Sequence, residues 1–191
     1  MAEPRTIILE AACGIVATEG LRALTLERVA KEADVSLEQV SLDFDDPTQL
    51  VQEAFDHGGH GAMTSIGERV RAKTTFDRLI GLLTLYIDNE DPIVRQDWIF
   101  WIEMEAIALF DDSFDRIMSE RSEAWNEMLS GLIQICISDG SVPPSVDPQV
   151  AASRLMLFQD ALGRQCILDM VPVEEARAEM MIAIDRELEQ T

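Results

Sequence analysis

The sequence is poor in positive charge. Its 15 Lys and Arg residues stand against 36 Asp and Glu, a formal net charge of −21. Only Lys31 and Lys73 are lysines. Such acidity disfavours a polyanionic partner, and it fits either a high-salt cytoplasm or a partner other than DNA. Cysteine is scarce as well. Cys13, Cys136 and Cys166 are odd in number, far apart and without a Cys-x-x-Cys, which suits a reducing compartment and small core hydrophobes. No apolar run approaches the roughly 18–20 residues that span a bilayer, so no membrane association is expected. The most hydrophobic stretch, 98–110, is broken by Glu103 and Glu105. The N-terminal segment has no basic n-region and reads as no secretory signal, so the expected location is the cytoplasm. There is no G-x-G-x-x-G, P-loop, H-E-x-x-H or G-x-S-x-G, so no enzyme class is indicated and no cofactor is expected. His57 and His60 beside Asp56 lack a fourth ligand and read as a solvated segment, so no metal is expected either.

What is present is helical periodicity. Ile8, Ala12 and Ile15 fall at i, i+4 and i+7 on one face of a first helix, which Gly20 stops. Thr25 is placed to cap a second helix, with Leu26, Val29, Ala30 and Ala33 inward. Ser36 to Gln39 reads as a capping box that opens a short third helix. Asp-Pro start signals recur at Asp46-Pro47, Asp91-Pro92 and Asp147-Pro148. A fourth helix begins near Leu50, but Asp56–Gly61 holds three glycines, each costing roughly 1 kcal/mol in a helix interior. A bend or break is expected there. Further helices are expected over 62–73, 75–89, 92–110, 113–139, 147–170 and 173–189. No alternating strand pattern occurs, so the fold class is all-α with about nine helices. The expected division is a helix-turn-helix domain over 1–55, a glycine-rich connection over 56–61, and a helical bundle over 62–191.

Two short helices joined by a tight turn have the dimensions of a helix-turn-helix. Residues 5–51 resemble the N-terminal domain of the TetR family of transcriptional regulators. Arg5, Ile8, Ala11-Ala12, Gly20, Thr25, Val29-Ala30, Ala33, Val35-Ser36, Phe44 and Leu50 stand where that family's pattern has them. Trp98-Ile-Phe-Trp101, Glu103, Trp125, Gly140 and Asp160-Ala-Leu-Gly163 are similar to the branch that includes choline- and betaine-responsive repressors. The resemblance implies a homodimer whose recognition helices enter successive major grooves of an operator about 34–36 Å apart. It also implies a small ligand in the C-terminal domain that releases DNA. The residues it assigns to DNA are Thr25, Arg28, Ser36, Leu37, Glu38, Gln39, Ser41 and Leu42.

The reading region departs from the family pattern, Ser-x-Gly-x-x-Tyr-x-His-Phe-x-x-Lys. Glu38 stands for the Gly, Ser41 for the Tyr, Asp43 for the His and Pro47 for the Lys, while Asp34 replaces the turn's Gly. In such proteins the Tyr, His and Lys hold phosphates, which supply most of the affinity. Residues 25–50 hold Arg28 and Lys31 against Glu27, Glu32, Asp34, Glu38, Asp43, Asp45 and Asp46. Two readings follow. One is a working repressor that takes phosphates with Arg5, Arg22, Arg28, Thr25 and Ser36. The other is a TetR-like fold that has lost DNA binding and acts as a ligand-sensing or protein-partner module.

The segment Trp98, Phe100, Trp101, Met104, Ile107 and Phe110 is apolar nearly all round, which marks a buried helix. Alongside plain core packing, Trp98, Trp101, Tyr86 and Trp125 are candidates to line a pocket, with Glu103 or Glu105 orienting a ligand. Aromatic faces beside a carboxylate suit a cationic effector. The last two helices carry apolar stripes expected to supply a dimer interface, namely Leu155, Phe158, Leu162, Met180 and Ile184.

Overall fold

The computed structural model describes residues 3–188 except 45, 71 and 72. Helix and turn account for the regular structure of those residues, with nine α-helices among them. Helix α1 (Pro4–Glu19) starts on a proline, whose missing N–H costs nothing in the first turn. It ends at Gly20, where φ is 79° and the N–H reaches Val16 O. Only glycine takes that backbone without strain. In α2 (Leu26–Glu32) the Thr25 hydroxyl accepts from Arg28 N at 3.1 Å. In α3 (Leu37–Asp43) the Ser36 hydroxyl accepts from Gln39 N at 3.1 Å. Only that half of the expected capping box forms, because the Gln39 amide donates to Asp43 Oδ2 at 2.9 Å instead of turning back.

The three Asp-Pro signals all open helices. They lead α4 (Pro47–Arg69), α6 (Pro92–Ala108) and α8 (Pro148–Ile167), and in each the aspartate oxygen accepts first-turn N–H groups. The remaining helices are α5 (Thr75–Leu85), α7 (Asp115–Asp139) and α9 (Val173–Leu188).

Two expectations are corrected. Helix α4 runs without interruption through 56–61, where the glycines predicted a break. Ala54 and Phe55 just ahead of the glycines are fully buried, and that anchoring outweighs the propensity cost. Gly58 also has a packing reason: a Cβ there would meet Cys13 Sγ at 3.3 Å and the Phe100 ring at 4.0 Å. The second correction concerns Phe110, expected in a buried helix. α6 stops at Ala108, and Phe110 is 90% exposed in the turn beyond it.

The chain forms two compact units. The first holds residues 1–63 and 96–118, the second 64–95 and 119–191. The helix-turn-helix segment lies within the first unit, whose core takes in Ile8, Ala12, Ile15, Val29, Val40, Phe44, Leu50, Phe55, Phe100 and Met104. These include the i, i+4, i+7 stripe of α1. In the second unit Leu79, Leu83, Leu129, Ile133, Leu155, Leu162, Met180 and Ile184 form the core. Burying each of the larger of these side chains stabilises a unit by roughly 1.5–3 kcal/mol. Cys13, Cys136 and Cys166 are free and buried, as their composition predicted. Burial pushes the Cys13 thiol up to about 12, and moves Cys136 and Cys166 upward as well. None of the helices, among the described residues, is long and apolar enough to cross a membrane.

Candidate nucleic-acid interface

Helices α2 and α3 are joined by a turn in which Asp34 has φ 54°. Aspartate tolerates this left-handed backbone better than most residues, because its short side chain bonds locally. Val40 and Phe44 bury one side of the α3 segment. The opposite side presents Ser36, Leu37, Glu38, Ser41 and Leu42 to solvent, with Leu42 73% exposed. Gln39 is half-buried and tied to Asp43.

The arginines around the motif are already engaged. Arg28 donates to Glu32 Oε2 and Glu19 Oε1, each at 2.6 Å, and these carboxylates, Glu32 first, push its pKa upward. Arg5 donates to both Glu53 oxygens at 2.7 and 2.6 Å and lies 4.5 Å from the Phe44 ring centroid. Sequence reading missed this sequestration. Its one legible trace was the i, i+4 spacing of Arg28 and Glu32, since Glu19 and Glu53 are brought in by tertiary packing. Arg22, in the turn Leu21–Ala23, and Lys31, near the end of α2, are exposed and make no ion pair among the described residues.

The expected ligand residues divide between the units. Trp98, Trp101, Glu103 and Glu105 lie in the first, Tyr86 and Trp125 in the second. Trp98 is buried, and Trp101 stacks on Phe55 with centroids 5.9 Å apart. Glu103 Oε1 lies 3.2 Å from where a Gly20 Cβ would be. In the second unit Tyr86 and Trp125 are brought together, with centroids at 5.1 Å. Trp125 Nε1 donates to Gln159 Oε1 at 3.2 Å, and the Gln159 amide donates to Leu83 O at 2.7 Å.

Of the residues expected at a dimer face, Leu155, Leu162, Met180 and Ile184 are buried in their own chain, and only Phe158 reaches the surface. The stripe that sequence reading chose is the one α8 and α9 turn toward their own core. The outer stripe carries Val150, Leu157 and Phe158 on α8 and Ile182 on α9, with Leu157 62% exposed. The exposed positions of α8 (Gln149, Val150, Arg154, Leu157, Phe158, Ala161 and Gln165) include no acid. Between α8 and α9 lies a cleft of 260 Å³ where Phe158 and Ile182 are flanked by Arg154, Arg186, Glu179 and Glu187.

No protein-family model matches the sequence, and no curated protein does either. Solved structures do. A Rhodococcus sp. protein assigned to the TetR family of transcriptional regulators superposes with a TM-score of 0.87 at 26% identity, covering 98% of this chain and 100% of that one. The TetR fold is present in full. A TetR transcription regulator from Haloarcula marismortui matches at a TM-score of 0.80 and 24% identity, covering 97% and 98% of the two chains. A Saccharomonospora viridis protein assigned as a transcriptional regulator and solved in complex with choline matches at 0.82 and 19%, covering 96% of each. Within the TetR fold, the positions that depart from the family pattern divide by exposure. Glu38, Ser41 and Pro47 are exposed, whereas Asp43 is half-buried and bonded to Gln39.

Proposed function

We propose that this protein is a homodimeric transcriptional regulator that binds operator DNA through α2 and α3 and releases it on binding a small ligand. The observation that carries the reading is the helix-turn-helix itself. Both helices keep their side-chain caps, and α3 keeps an exposed outer face of Ser36, Leu37, Glu38, Ser41 and Leu42. An intact motif of this kind gives the loss of DNA binding no structural support. The outer face of α8 supports self-association, because its exposed positions carry Val150, Leu157 and Phe158 and no carboxylate, while Glu179 and Glu187 at its α9 edge stand beside Arg154 and Arg186. Val150, Leu157, Phe158 and Ile182 then replace the inner stripe as the interface.

A cationic ligand is favoured by the aromatic content of the expected site and by the choline complex of the Saccharomonospora viridis protein. Tyr86 and Trp125, whose ring centroids lie 5.1 Å apart, are its proposed aromatic lining within the second unit. Titration of intrinsic Trp fluorescence with choline, betaine and hydrophobic amines tests the ligand. No change with any of them refutes the cationic assignment.

The DNA reading is tested by selecting bound duplexes from a random pool. The expected product is a palindromic motif with half-site centres about 10–10.5 base pairs apart, or a multiple of that. Recovery of unrelated sequences by folded, dimeric protein contradicts it.

A further inference from the structure

A TetR-like reading face without its usual phosphate-holding residues needs cations from elsewhere. The Lys and Arg side chains of the first unit are Arg5, Arg22, Arg28, Lys31 and Arg116. Arg5 is held by Glu53 and by Asp43 O, Arg28 bridges Glu19 and Glu32, and Arg116 is engaged as well. An arginine that exchanges a carboxylate for a phosphate strands that carboxylate beside the DNA backbone, so little net attraction remains. Arg22 and Lys31 face no such exchange. They flank α2, one in the turn before it and one near its end, and both are exposed.

We infer that Arg22 and Lys31 are the phosphate-positioning residues of this motif, and that α3 contacts base edges without holding phosphate. The inference rests on the DNA-binding reading above and assigns its chemistry. The outer face of α3 fits the second half. Leu37 and Leu42 offer apolar contact for thymine methyl groups, Ser41 bonds either edge, and the Glu38 carboxylate accepts from a cytosine amino group. None of these side chains carries positive charge.

The consequence is a shallow salt dependence. Two cations per protomer give four phosphate contacts in a dimer, and at roughly 0.9 per contact the slope of log K against log salt is about −3.6. From about 50 to 200 mM salt that is a loss of about 150-fold, against the ~10³–10⁵ of proteins making six to ten such contacts. The exposed acids Glu27, Asp34 and Glu38 take up cations near the DNA and make the slope shallower still.

The test is fluorescence anisotropy of the full-length protein on a duplex recovered by selection, across a salt series. It compares wild type with Arg22→Ala, Lys31→Ala and, as a control of equal charge change, Arg78→Ala on the exposed face of α5 in the second unit, each checked for unchanged helix content. The expected wild-type slope is no steeper than about −4, and Arg22→Ala and Lys31→Ala each shift it by about two toward zero or beyond. Arg78→Ala leaves it in place. Selective wild-type binding with unchanged slopes in both Arg22→Ala and Lys31→Ala overturns the assignment alone, as does a wild-type slope of about −6 or steeper. Absence of selective binding by folded wild type removes the DNA reading and this assignment with it.

Discussion

Replacing Gly61 with alanine measures whether α4 is one helix. Gly61 sits inside Pro47–Arg69, is exposed, and a Cβ built on it meets nothing within 4 Å. In a continuous helix the substitution gains about 0.8–1 kcal/mol, because alanine loses less backbone freedom on folding and clashes with nothing here. For a chain of 191 residues that raises the thermal midpoint by about 2–4 °C. Gly58→Ala on the same helix is the internal comparison. Its Cβ would lie 3.3 Å from Cys13 Sγ, so part or all of the propensity gain is lost to repacking between α1 and α4. Circular dichroism at 222 nm during heating therefore ranks Gly61→Ala above wild type and Gly58→Ala below Gly61→Ala. A midpoint for Gly61→Ala equal to or below wild type refutes the reasoning. It would mean that 56–61 is unwound in solution, as the glycine content alone predicts.

Phe55→Ala removes a fully buried ring that packs on Phe100 and Trp101, and is expected to cost about 3–5 kcal/mol in urea denaturation. Asp91 pairs with Arg69, which together with two backbone N–H groups holds its carboxyl below the ordinary range. Because the folded pKa is the lower one, this contribution is present above about pH 4 and is lost as pH falls through the folded value. Asp91→Asn is therefore less stable than wild type at pH 7, and the gap narrows below pH ~4 in a denaturation series. Cys13 should resist thiol reagents in native protein at about pH 8, since its pKa stands near 12. Rapid labelling without unfolding contradicts its burial. Leu157→Glu and Phe158→Glu are expected to yield monomers with unchanged helix content in sedimentation velocity, whereas intact dimers would exclude the α8 outer face as the interface.

Helix starts were the most legible part of this sequence. Thr25, Ser36 and the three Asp-Pro pairs each act through their own first turn, so local chemistry determines them. The path of α4 was not legible, because the local cost of Gly58, Gly59 and Gly61 is outweighed by tertiary burial of Ala54 and Phe55, and by a helix contact that needs Gly58 small. The stripe expected at a dimer face is a related case, since four of its five residues are buried in their own chain. Periodicity finds the most apolar face of α8 and α9, and that face belongs to their own core. The weaker second stripe around Leu157 becomes visible only once the first is accounted for. Around the reading helix, composition revealed the excess of acid. It did not reveal which cations remain uncommitted, since Glu19 and Glu53 reach Arg28 and Arg5 only through the fold.

Selection of DNA by an acidic reading face is the property on which the proposed function stands. It is tested most directly by fluorescence anisotropy of purified protein on a labelled fragment from its own upstream region, at about 50, 150 and 1000 mM salt. Saturable, sequence-selective binding is expected, with two chains per operator and an affinity loss of at most about 50-fold from the first salt to the second. Protein shown to be folded and dimeric, with no preference for that fragment or for any selected duplex at any of the three salts, would contradict it.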